Sequence, residues 1–471
     1  MTGGQFSRNP ELLDATGFSG DGSLLMFGQQ VIEARSDTPA DPPADTSIIW
    51  VDSNTGELKI KITDSNSVTR EYVIAPSISF DAFGRARVSD TGQRLDVEFI
   101  YNKQPDFFDE TTSNGTVTHN ANTRDLTLSI ANSTNGTHAT MRSHPVPYTP
   151  GNSQLIDITG VLDLANLGTG TAEFFLRTKI SGTVTDSDVV TQASWDALTT
   201  GVDWADSHIF SIDFQSLKVG TIRFAIVGSG STTYVGSINN DNVRDSGYWQ
   251  VPSLPAYWRI YNDATDTYME CGYGDEDNAV GFRYKVTANA TATMKAICCT
   301  VKSEGGIDLQ DIDGIPRSAD NGITVVTAST TLIPLLSIRP KTTFNSLPNL
   351  GIALPKLVDI QASDAIRLVV IHGGTLTSPT WADVNTSSSM MEVDVAASGI
   401  TGGNEIFSDY IPAASTGPAS GRFTGTSGGL LGKTVLWDRQ STETGILTVA
   451  AIRTAAVDAD CLVSLQWDEI R

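Results

Sequence analysis

Long apolar runs are missing from this chain. No stretch approaches the roughly 20 apolar residues that a membrane span requires, so membrane insertion is not expected. Helical periodicity is just as scarce, with only Pro10–Leu13 and Ser194–Leu198 suggesting a turn or two. Cysteine is rare. Cys271, Cys298, Cys299 and Cys461 match no zinc spacing. The start, Met1 to Arg8, lacks the basic and apolar regions of a signal peptide, so the expected place of synthesis is the cytoplasm, where disulfides are disfavoured. All four cysteines therefore read as small buried hydrophobes, with Cys298 and Cys299 on opposite faces of a strand. The five histidines show no i, i+4 pair, which removes the commonest helical metal motif, and no metal or cofactor site is expected. No Gly-x-Ser-x-Gly elbow or phosphate-cradling glycine loop occurs. Basic residues are in deficit: 31 Lys and Arg face 54 Asp and Glu, a net charge of −23. Such a surface repels phosphate backbones and anionic lipid, so nucleic acid is not an expected partner.

Turn formers are abundant, with 42 glycines and 19 prolines in 471 residues. That length suggests about two to four domains. Residues 1–45 show no sustained period and read as a flexible arm, closed by an extended linker from Thr38 to Asp45. Residues 46–78 read as a β-hairpin module, in which Leu58, Ile60 and Ile62 alternate onto one face. Three short strands cannot bury that stripe among themselves, so Trp50 or a second chain is expected to cover it. Trp50, Leu58, Ile60 and Ile62 are accordingly the candidate self-association residues.

Residues 79–305 carry short, turn-bounded strands rich in Thr, Val and Ile, such as Gln154–Leu162, His208–Phe214 and Val219–Val227. This spacing predicts a jelly-roll-like β-sandwich. A polar connector is expected over 306–322, and a second sandwich of about eight strands over 323–471, with Gly421–Gly432 as a long mobile loop. The predicted class is all-β: an N-terminal arm and hairpin followed by two β-sandwich domains.

Two acidic clusters lie near aromatics: Asp106, Asp109 and Glu110 among Tyr101, Phe107 and Phe108, and Asp275, Glu276 and Asp277 beside Tyr273. Glycoside hydrolysis needs two carboxyl groups beside a sugar-binding aromatic. With 54 acidic residues such neighbours arise by chance, and solvated acidic turns are the simpler reading. Asp308, Asp311 and Asp313 miss the spacing of a calcium loop. Trp195, Trp204, Trp249 and Trp258 are weak glycan-binding candidates, since aromatic faces suit sugar rings, but they serve a sandwich core equally well.

The stretch from Ser79 to Ser89 contains Phe80, Asp81, Phe83, Gly84, Arg85 and Arg87 in the pattern Phe-Asp-Ala-Phe-Gly-Arg-x-Arg-Val-Ser. By its residues alone it is a turn with two anchoring aromatics and alternating arginines. With the β-rich chain that follows, it resembles a family of tailed-bacteriophage virion structural proteins. Further patches of likeness are Tyr101–Glu110, His119–Asn122, Tyr148–Gln154, Ile209–Ile226, Met294–Gly306 and Arg339–Asn345. Where related chains often show Thr-Leu-Phe-Asp after the signature, this one has Arg94-Leu95-Asp96-Val97. The resemblance implies a non-enzymatic component of the virion, a fibre or appendage at the tail or capsid exterior. Its implied partners are other virion proteins and two further copies of itself, as a homotrimer. The alternative is a receptor-binding spike that binds or degrades host surface glycans. The family offers no catalytic residues to carry over.

Overall fold

The computed structural model describes residues 34–35, 39–43, 46–52, 58–63, 67–75, 91–105, 107–131, 134–148, 151–165, 167, 170–180, 182–196, 202–228, 231–304, 314–327, 330–412, 422–426, 436 and 445–470. The chain divides into two compact units, Met1–Val88 and Ser89–Arg471. All sheets are built from β-patterned segments, and among the described residues the one helical element is the 3-10 turn Gln192–Ser194. No helix among them is long and apolar enough to cross a membrane.

The first unit holds a four-stranded sheet in the order Ala34–Arg35, Thr46–Asp52, Leu58–Thr63, Thr69–Ala75. The expected hairpin is therefore larger than the sequence suggested. Ala34 and Arg35, read as part of a free arm, pair in parallel with Val51 and Asp52. The proline-rich stretch does not stand off as a spacer either. Pro39 and Pro42 are buried, and the Pro39 carbonyl accepts a hydrogen bond from Lys61 Nζ at 2.8 Å.

In the second unit two sheets face each other to form the larger sandwich. One runs Ser231–Ile238, Ile222–Gly228, His208–Phe214, Gln154–Val161, Ala292–Glu304, Asp125–Ile130, Gly115–Asn120, with Thr91–Glu98 also on Ala292–Glu304. The 13-residue central strand is long enough to pair Asp125–Ile130 with its first half and Thr91–Glu98 with its second. The other sheet runs Thr183–Thr191, Thr171–Ile180, Ala279–Val286, Thr267–Gly274, Ala256–Asn262, His138–Ser143, Phe108–Ser113. Alternate residues of both sheets meet in a core dense in aromatics. Phe282 lies at its middle, with ring centroids 4.9 Å from Phe210, 5.6 Å from Phe224 and 6.1 Å from Trp195. Cys298 and Cys299 fall on opposite faces as alternation requires. Cys271, Cys299 and Cys461 are buried, whereas Cys298 is only half-buried, and all four are free thiols.

A smaller sandwich follows. Its five-stranded sheet contains Ile315–Asp320, Ala459–Ile470, Ile352–Ala362, Arg422–Thr426 and Thr324–Val326. Its six-stranded sheet runs Ala382–Asp383, Met391–Asp394, Ile333–Pro340, Leu447–Arg453, Ile366–His372, Asn404–Ile411. Two expectations change here. Ile315–Asp320, assigned to the connector, pairs with Ala459–Ile470, because Ala319 supplies an apolar contact to this second core. Arg422–Thr426, assigned to a mobile loop, is a strand on Leu357–Gln361.

Phe282→Ala should destabilise the larger sandwich by about 3–5 kcal/mol, as deleting a fully buried aromatic does. Tyr101→Ala, at a ring 82% exposed, should change stability by no more than about 0.5 kcal/mol. Urea unfolding of the two variants checks this.

Candidate functional site

The signature residues Phe80, Asp81, Phe83, Gly84, Arg85 and Arg87 lie outside the described residues, as do Asp106 and the Asp308, Asp311, Asp313 run. Within the N-terminal sheet, register decides what the candidate stripe contains. Thr46–Val51 pairs with Leu58–Thr63, so Ile49 stands opposite Ile60 and Trp50 opposite Lys59. Ile48 stands opposite Lys61 and Ser47 opposite Ile62 in the same register. The two faces also differ in burial. Lys61 and Thr63 are 8% and 4% exposed, with Lys61 held by Pro39 and by Asp41 at 3.1 Å. On the other face Ile60 is half-buried and Ile62 is 40% exposed.

The four tryptophan candidates are core residues. Trp195, Trp204, Trp249 and Trp258 are between 0% and 8% exposed, leaving no ring face for a sugar. Three of the indole N–H groups find partners inside the fold: Trp258 donates to the Thr159 carbonyl at 3.2 Å, Trp195 to that of Val190 at 3.2 Å and Trp204 to Gln192 Oε1 at 3.3 Å. Tyr273 is likewise buried, taking the Leu254 N–H at 2.9 Å.

The acidic clusters are tied into the frame. Lys103 pairs with Glu110 at 2.5 Å, Arg142 with Glu276 at 3.3 Å and Lys179 with Asp277 at 2.7 Å. Asp275 accepts the backbone N–H groups of Asp277 and Asn278, closing its own turn. Among the described residues, no group of three or more His, Cys, Asp or Glu is placed to hold a metal ion.

The feature that sequence reasoning missed lies on the outer face of the seven-stranded sheet. Across four adjacent strands the register places Arg259, Glu270, Arg283 and Glu173 side by side, alternating in sign. Glu270 has no exposure at all. It receives Arg177 through two hydrogen bonds of 2.9 and 3.2 Å and the Tyr261 hydroxyl at 3.0 Å. Arg177 also donates Nε to Asp186 at 2.8 Å, and Arg283 donates Nε to Glu173 at 2.7 Å and reaches Asp186. To meet Glu270 from its place beside Ala279, Arg177 crosses the row Phe175, Gly281, Gly272, Tyr257. The paired glycines leave that path clear. The two backbones approach so closely there that a Cβ on Gly281 would meet the Cys271 carbonyl at 2.4 Å. The ring of Phe175 lies between the Arg177 and Arg283 guanidinium groups, at 5.1 and 4.9 Å.

Burial works against both members of the Arg177–Asp186 pair, but their partners outweigh it. Glu270, Tyr261 and Asp186 hold the Arg177 pKa above its ordinary value, and Arg177 and Arg283 hold Asp186 below the usual carboxylate range. Arg177, Glu270, Arg283, Glu173 and Asp186 pair with one another and form a structural lattice on this face, while Arg259 lies over the Tyr261 ring at 4.2 Å.

An open cleft of about 410 Å³ lies on the smaller sandwich. One wall is the segment from Arg339 to Ser346, and Asp383, Thr386 and Glu392 form the other. The sequence had marked Arg339–Asn345 as a patch of likeness, but nothing in it pointed to Asp383 or Glu392, more than 35 residues on. Arg339 donates Nε to Glu392 at 2.7 Å and stacks on Trp381 at 4.3 Å, while Lys341, 7% exposed, pairs with Asp383 at 3.0 Å.

No family profile and no curated protein matches the chain. Among solved structures it is similar to lectin II from Ulex europaeus, 12% identical over 45% of this chain and 100% of that one, with a TM-score of 0.19. It is similar to the Lotus tetragonolobus seed lectin, also 12% identical, over 44% and 98%, with a TM-score of 0.19. A third likeness is the CBM2 module of the evolved Dit of Lactobacillus casei BL23 phage J-1, 7% identical over 47% and 98%, with a TM-score of 0.19. Likeness this slight assigns no function.

Replacing Arg177 by Met should cost about 3–5 kcal/mol, because it leaves Glu270 buried and unpaired. Asp186 sets a pH signature. A carboxyl with a lowered folded pKa contributes stability above its unfolded pKa near 3.9 and loses it as pH falls through the folded value. Asp186→Asn should therefore flatten the loss of stability below about pH 4, measured as urea midpoints across pH.

Proposed function

We propose that this chain is a non-enzymatic structural component of a tailed-phage particle, a fibre or appendage at the tail or capsid exterior, assembled as a homotrimer through its N-terminal sheet. The resemblance of the Phe80–Ser89 stretch and the patches that follow it supports the particle assignment. The observation that carries the assembly is the asymmetry of the sheet. One face is closed by Pro39–Asp41 over Lys61, and the other leaves Ile60 and Ile62 only partly covered within the chain. Two further copies gathered about a threefold axis would complete that face, as cyclic contacts do. Two sandwiches with independent cores suit a part that must be stiff and exposed. The non-enzymatic reading is supported by the acidic groups nearest aromatics, since Glu110, Glu276 and Asp277 are each held by a cation.

Light scattering on the full chain should return three times the 50.2 kDa chain mass, falling to the single-chain value in an Ile60→Glu, Ile62→Glu variant. A monomer at micromolar concentration would overturn the assembly. Shortening of host capsule or lipopolysaccharide that is lost in Glu110→Ala would overturn the non-enzymatic assignment in favour of a glycan-degrading spike.

A further inference from the structure

The polar cleft of the smaller sandwich has no part in that reading, and its chemistry points to a ligand of a particular class. We infer that it binds a neutral saccharide unit, held between the Arg339–Glu392 and Lys341–Asp383 pairs.

Charge balance is the first ground. Two cations and two carboxylates line the cleft, each cation against a carboxylate. A phosphate would meet a carboxylate beside each cation, and a metal ion would meet a cation beside each carboxylate. A hydroxyl group suffers neither penalty, because it donates to a carboxylate and accepts from a guanidinium or ammonium group at once. Pairing leaves capacity for this: a guanidinium carries five N–H donors and a carboxylate about four acceptor positions, and the Arg339–Glu392 bond uses one of each. Thr342, Ser346 and Thr386 add hydroxyls to the walls and Asn345 adds an amide.

Preorganisation is the second ground. The turn at the tip of the Thr343–Phe344 and Leu347–Pro348 hairpin has positive φ at both Asn345 and Ser346, 51° and 64°, as a tight two-residue loop requires. Below it, Asn349 donates its amide to the carbonyls of Lys341 at 2.8 Å and Met390 at 3.1 Å, pinning the two walls together. The opposite loop is fixed by Asn385, whose Oδ1 accepts from the N–H groups of Ser387 and Ser388. Lys341 is almost wholly buried, with its ammonium directed by the Asn385 carbonyl at 3.2 Å and Asp383 at 3.0 Å. Side chains already immobilised in this way lose little entropy on binding. The volume falls within the range of small-molecule sites.

This inference is independent of the particle assignment, and its test does not involve assembly. Saturation-transfer NMR on the full chain would use the methyl glycosides of glucose, galactose, N-acetylglucosamine and rhamnose at millimolar concentration. Inorganic phosphate and calcium chloride would serve as competitors. Ring-proton saturation is expected for at least one glycoside, with binding weakened about tenfold by Glu392→Gln, which removes a charged acceptor, and measurably by Thr386→Val. Lys341→Met should act in the same direction, but its burial threatens the fold, so the two surface variants decide the matter. Tyr410→Ala, on the opposite edge strand of that sheet, should leave binding unchanged. No saturation with any glycoside, equal saturation in Glu392→Gln and Thr386→Val, or displacement of the glycoside by phosphate or calcium would each overturn the inference.

Discussion

A carboxylate with no solvent exposure governs the larger sandwich. The polar atoms of its carboxyl group are satisfied there because Arg177 grips Glu270 through two hydrogen bonds while Tyr261 supplies a third. That requirement fixes register. Slipping Thr267–Gly274 by one residue would turn Glu270 into the aromatic core and bring Met269 or Cys271 out to the charged face. Because Arg177 also holds Asp186 and Arg283 holds Glu173, the constraint extends over the strands Thr183–Thr191, Thr171–Ile180, Ala279–Val286 and Thr267–Gly274. An ionic lattice of this kind is weak evidence for net stability, since an apolar replacement of like volume often does as well. What it gives this sheet is specificity of pairing.

The same lattice explains why both faces of the Thr171–Ile180 strand are buried. Phe174 points into the core and Phe175 away from it, yet each is at most 1% exposed. The arginines on either side of Phe175 roof it with their guanidinium planes.

Much of this architecture was legible in the chain. Period-two alternation located Gln154–Val161, His208–Phe214 and Ile222–Gly228, and parity put Cys298 and Cys299 on opposite faces. Three things were hidden for definite reasons. The parallel pairing of Ala34 and Arg35 with Val51 and Asp52 was hidden because a two-residue strand carries no period. Ile315–Asp320 resembled a connector because it is an edge strand with mostly exposed side chains, so its pattern is polar. The tryptophans stayed open between sugar binding and the core because local sequence cannot distinguish a loop aromatic from one folded inward. The cleft was invisible for a different reason, since its two walls lie far apart in the chain and are brought together by the pairing of Ile333–Pro340 with Met391–Asp394.

The reading of this chain as an exterior part of a phage particle, gathered through its N-terminal sheet, faces one direct measurement. Electron cryo-microscopy of purified particles carrying the chain should reveal three copies of it around a threefold axis at the tail or capsid exterior. Particles that contain no density for the chain, or that hold it as isolated single copies, would contradict the account.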